Sequence, residues 1–121
     1  MKKSFLWFFV VLACVLAKPS KPRFATLAKA TSNSLSIVWV PPNSDFSCES
    51  DVYKVEYRKD EPGTKFQVLS VAGKEAIETS TAIIKGLDSK TKYVIKVTAF
   101  KAGTLSKADA GGFATLKATT K

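Results

Sequence analysis

Residues able to carry covalent or metal chemistry are scarce in this chain. None of its 121 residues is histidine, so neither a Ser-His-Asp relay nor a histidine-ligated metal can be assembled. Two cysteines occur, Cys14 and Cys48. Cys48 lies in "NSDFSCESD", where Asp45, Glu49 and Asp51 surround it, and their negative charge disfavours a thiolate and makes a poor nucleophile. No glycine-rich phosphate loop is present. Composition leaves carboxylate-only catalysis open. The 10 Asp and Glu are scattered among loops and strand exteriors, however, and ordinary solvated surface accounts for them. The expectation is therefore a protein that is not an enzyme, with no cofactor and no metal. What the chain does carry in excess is cationic: 19 Lys and Arg against those 10 acids, a net charge of +9. The chemistry that follows is attraction for anions.

The elements that would position these charges come next. "MKKSFLWFFVVLACVLA" (1–17) has a basic start at Lys2 and Lys3 and an unbroken apolar run from Phe5 to Ala17. Val15 and Ala17 stand at the spacing a signal peptidase reads, so 1–17 is expected to be a secretory signal peptide. The run is shorter than the roughly 20 apolar residues a spanning helix needs. No later stretch could cross a bilayer, so a secreted, extracellular and soluble product is expected, without membrane attachment after cleavage. Removing Lys2 and Lys3 leaves 17 basic and 10 acidic residues in 18–121, a net charge of +7. Cys14 also leaves, so Cys48 has no internal partner. Neither Asn33 nor Asn43 lies in an N-glycosylation sequon.

From residue 18 onwards the chain reads as strands. "SLSIVWV" (34–40) places Leu35, Ile37 and Trp39 on one face. "VYKVEYRK" (52–59) places Tyr53, Val55 and Tyr57 on one face and Lys54, Glu56 and Arg58 on the other. "KYVIKVTAF" (92–100) sets Tyr93, Ile95, Val97 and Ala99 against Lys92, Val94, Lys96 and Thr98. A period of two with β-branched and aromatic residues marks half-buried strands. Weaker candidates are 23–29, 65–72, 80–85 and 112–119. Turn signals separate the seven: Pro41-Pro42, Pro62-Gly63, Ala72-Gly73-Lys74, Gly86 and Gly111-Gly112. Seven short strands in this length predict an all-β fold, a seven-stranded antiparallel two-sheet sandwich.

In this order and spacing the motifs resemble one family, the fibronectin type III domains. Trp39 followed by "VPP" resembles the second-strand tryptophan and proline of those domains, and "YKVEY" resembles their third strand. "GLDSKTKYVIKVTAF" is similar to their most recognisable signature, a leucine, a tyrosine six positions later and a strand with a late alanine, here Leu87, Tyr93 and Ala99. Ser89 departs from the pattern, standing where the family usually has proline. The resemblance covers nearly all of 18–121 and implies an immunoglobulin-like sandwich. In it Trp39 fills the space between the sheets, and Tyr93 returns its hydroxyl to the backbone upstream. Tyr53 and Tyr57 share the inward parity of Val55 and are expected in the core.

The resemblance also implies that the third and sixth strands are neighbours. Lys54, Arg58, Lys92 and Lys96 would then share an outer face opposed by Glu56 alone, competing with the plainer reading of a solvated surface. The expected function is a secreted binding or structural module of an extracellular matrix, including that of a mineralised tissue. Its expected partners are anionic matrix polysaccharides or acidic matrix proteins; nucleic acid is not among them. The alternative is a secreted effector or soluble ligand for a receptor or other protein. The segment "KAGTLSKADAGG" contains no Arg-Gly-Asp, and the Trp-Ser-x-Trp-Ser pattern of cytokine receptors is missing. Cys48, expected in the loop after the second strand, has two readings: an idle or buried thiol, or an intermolecular disulfide that makes a dimer.

Overall fold

The computed structural model describes residues 22–41, 52–100 and 110–121. The expected signal segment 1–17 and Cys48 lie outside the described residues.

Alternation of apolar and polar side chains produces seven strands: β1 (Arg23–Ala30), β2 (Leu35–Val40), β3 (Val52–Lys59), β4 (Gln67–Val68), β5 (Thr81–Ile84), β6 (Lys92–Phe100) and β7 (Ala110–Thr119). They pair antiparallel in two sheets, ordered β1-β2-β5 and β4-β3-β6-β7. This is the expected two-sheet sandwich. Inward residues of both sheets build one core. Leu35, Ile37 and Trp39 of β2 and Ala82 and Ile84 of β5 belong to it, together with Tyr53 and Val55 of β3 and Tyr93, Ile95, Val97 and Ala99 of β6. Full burial of one such aliphatic side chain is worth about 1.5–3 kcal/mol, so the alternation itself selects which face turns inward.

The β3–β6 ladder is continuous from Val52↔Phe100 to Lys59↔Tyr93, and β6–β7 continues it from Lys92↔Thr119 to Thr98↔Phe113. β1 pairs less regularly, with register shifts between Arg23 and Thr26 and between Leu27 and Lys29. Phe24, inside the first shift, has φ 51°, an uncommon and strained value for a bulky side chain.

Several expectations need correction. Within 65–72 only Gln67–Val68 is strand. Leu69 still donates its N–H to Val55 O at 2.8 Å, but Ala72 (φ 53°) and Gly73 (φ 80°) then turn the chain so tightly that Val71 and Lys74 bond each other at 2.9 Å. Two consecutive positive φ values are the mark of a two-residue hairpin turn, and it diverts the segment from β3. Gly111-Gly112 is not a turn. β7 begins at Ala110, because Phe100↔Ala110 pairing extends the ladder past both glycines across a register shift. Tyr57 is partly exposed and packs against the edge of the core, since its neighbour β4 is too short to cover it.

Candidate functional site

The family-like residues hold the frame. Trp39 and Tyr93 are buried at 4% exposure and Leu87 at 8%. The Asp88 N–H donates to Tyr93 Oη at 2.9 Å, joining the start of β6 to the turn five residues upstream. Thr120 completes this end of the sandwich: its Oγ1 donates to Asp88 O at 2.5 Å and accepts from the Thr91 N–H at 3.0 Å. Lys59 Nζ lies 2.5 Å from Asp88 Oδ2, and that carboxylate raises the Lys59 ammonium above the ordinary lysine value of 10.5.

The four cations singled out from the sequence stand on β3 and β6, which are adjacent in the four-stranded sheet. In an antiparallel ladder, residues directly opposite share a face. The outer rows therefore read Lys54–Thr98–Phe113, Glu56–Lys96–Thr115 and Arg58–Val94–Lys117, with Lys92 opposite Thr119 beyond them. Lys54 and Arg58, four residues apart on β3, are separated by about 13 Å along the strand, and neighbouring strands by about 4.8 Å. Lys92 is exposed, and Lys54, Arg58 and Lys96 are half-buried.

Three members of this face were not singled out from the sequence. Lys117 of β7 is exposed, and its Nζ lies 3.4 Å from Asp60 Oδ2. Phe113 holds the Lys96 ammonium 4.5 Å from its ring centroid. Phe66, on the opposite flank, holds the Arg58 guanidinium carbon at 5.1 Å. The outward parity of "GFATLKAT" already carried Phe113 and Lys117, but only the β6–β7 register brings them beside Lys96. Val94 and Thr98 share the outward parity yet are buried, at 7% and 8% exposure. Each lies in the middle of a row, between Arg58 and Lys117 and between Lys54 and Phe113, and long side chains so placed shield what lies between them. Arg58 is further held by donating from Nη1 to Lys59 O at 3.2 Å and to Thr64 Oγ1 at 3.4 Å. Among the described residues, the face thus counts five cations, Lys54, Arg58, Lys92, Lys96 and Lys117, against two carboxylates, Glu56 and Asp60, of which Asp60 is paired with Lys117.

Elsewhere, an open groove of about 830 Å³ lies at the β4 and β5 edges, lined by Tyr57, Leu69, Ile77 and Ile83 among others. Among the described residues, no group of three or more Cys, Asp or Glu is placed to hold a metal ion.

Residues 20–110 match the model of the fibronectin type III domain. The fold is similar to that of domains d3–d4 of the rat CD45 extracellular region, at 17% identity and TM-score 0.65, over 86% of this chain and 51% of that one. This chain therefore spans about half the length of the CD45 structure. It is also similar to a fourth FNIII domain from human, at 21% identity and TM-score 0.66, covering 86% of this chain and 80% of that one. The fibronectin type-III domain of human fibronectin type III domain containing protein 3 matches at 25% identity and TM-score 0.62, over 87% and 90% of the two chains.

Proposed function

The chain belongs to the fibronectin type III family, whose domains generally serve as non-catalytic binding or structural modules, and from that premise we propose that it is a secreted, non-enzymatic module that holds an anionic polymer of the extracellular matrix, including that of a mineralised tissue, on the outer face of its four-stranded sheet. The observation carrying this reading is the register that brings Lys54, Arg58, Lys92, Lys96 and Lys117 onto one side, with Glu56 and Asp60 as the carboxylates among the described residues there. Cations spaced over two to three strands reinforce one another's potential, and a polymer with repeated anions meets several of them at once.

The test is retention on a heparin column of the 18–121 chain and of a Lys54→Glu, Arg58→Glu, Lys96→Glu variant. Loss of retention with an unchanged melting temperature is the expected result. Equal elution of the two proteins would show that this face is not the binding surface.

A further inference from the structure

We infer that the polymer this face selects is a sulfated or carboxylated polysaccharide rather than an acidic polypeptide, and that Phe113 and Phe66 make the distinction. This rests on the basic-face reading above. Both rings are exposed, Phe113 at 53% and Phe66 at 37%, and both lie on the outward side of edge strands or their approaches. Each is paired with a cation of the central strands, Lys96 on one flank and Arg58 on the other. Two charges of the face are thus presented beside apolar aromatic surface instead of in open water.

That pairing fits one ligand chemistry better than the other. An acidic polypeptide offers carboxylates on flexible stems. A sulfated or uronic polysaccharide offers anions fixed to sugar rings, and each ring has an apolar C–H face. Each cation lies over one face of its phenyl ring, so the exposed remainder of the ring can pack that C–H face while the cation takes the sulfate or carboxylate on the same sugar. The two pairs are not side by side. Phe113 sits on β7 in the row of Thr98, and Phe66 precedes β4 on the far edge, beside the row of Arg58 and Val94. Three strand intervals across and four residues along give a diagonal of roughly 20 Å. Lys54, Lys96 and Arg58 lie within the area this diagonal crosses. A chain of several sugars reaches both ends, whereas a disaccharide reaches one.

The experiment measures affinity for heparin, for a heparin-derived disaccharide and for polyaspartate. The proteins are the 18–121 chain, its Phe66→Ala, Phe113→Ala variant and the Lys54→Glu, Arg58→Glu, Lys96→Glu variant. Loss of the two ring contacts should weaken heparin binding about tenfold, as two exposed cation–π-sized terms would, with the melting temperature unchanged. Polyaspartate binding should stay within about twofold, and the disaccharide should bind far more weakly than heparin. Equal losses for heparin and polyaspartate, or no loss for either, would overturn the assignment of the rings while leaving the basic face in place. Unchanged heparin binding by the charge-reversed variant would instead remove the basic-face reading itself.

Discussion

The indole of Trp39 meets the ring of Tyr53 edge-on, with ring centroids 5.2 Å apart and planes inclined by 66°. The pair spans the sandwich, because Trp39 comes from β2 in one sheet and Tyr53 from β3 in the other. Edge-to-face packing of this kind adds about 0.5–1.5 kcal/mol to the burial of the rings. Trp39→Ala is expected to cost about 3–5 kcal/mol, a large part of a small domain's stability. Urea unfolding followed by far-ultraviolet dichroism measures it. Among the described residues Trp39 Nε1 has no hydrogen-bond partner, so Trp39→Phe gives up volume but no hydrogen bond and should be much milder. A midpoint for Trp39→Ala close to that of the wild type would contradict the burial.

Tyr93 is both core and fastener. Its ring is buried, and its hydroxyl accepts the Asp88 N–H at 2.9 Å. Tyr93→Phe keeps the ring and leaves that donor without its acceptor, so a loss of about 1 kcal/mol is expected. Hydrogen exchange gives the sharper readout: the Asp88 amide should lose protection in the variant while amides in the middle of β6 keep theirs.

The Lys59–Asp88 pair sets an alkaline dependence. Asp88 raises the pKa of Lys59 in the folded chain above the 10.5 of the unfolded one. The pair's contribution is therefore fully present below pH 10.5 and is lost as pH rises through the folded value. Both side chains are well exposed, so the effect is small and screened by salt. At low salt, Asp88→Asn should melt slightly below the wild type at neutral pH, and the two midpoints should converge in strongly alkaline buffer. A constant gap across that range would mean that Asp88 acts through something other than Lys59.

Binding to the basic face should be steeply sensitive to salt. The Debye length falls from ~10 Å at 0.1 M, about twice the spacing of about 4.8 Å between neighbouring strands, to ~3 Å at 1 M, shorter than that spacing. Heparin retention is expected to vanish before 1 M sodium chloride and to change little between pH 6 and 8, because the chain contains no histidine. Retention that survived 1 M salt would point to a contact dominated by apolar packing.

Much of the fold was legible in the sequence because alternation and burial coincide. In β2, Leu35, Ile37 and Trp39 are buried, and in β6, Tyr93, Ile95, Val97 and Ala99 are, as their spacing requires. β3 runs from Val52 to Lys59 as read from the alternation. The fourth strand was legible only as an apolar stretch. The turn at Ala72-Gly73 was legible from the sequence, but the strand stops at Val68, short of it, and where pairing with β3 ends is set by register, which the apolar pattern of 65–72 does not carry. The candidate face was half legible. Lys54, Arg58, Lys92 and Lys96 follow from parity alone, given adjacent strands. Phe66, Phe113 and Lys117 needed the pairing of β4 and β7 as well, since side chains from different strands become neighbours only through register.

The irregular edges of the two sheets have a consequence for crowding. β4 has two residues and β5 four, too few to recruit a foreign strand over any length. β1 is broken twice in register, and β7, the longest edge, packs near β1 and carries outward Lys117. Short, bulged and charged edges resist pairing with another chain. A second copy of the chain is therefore offered no long, regular ladder to extend, so fusion edge to edge into a fibril is disfavoured.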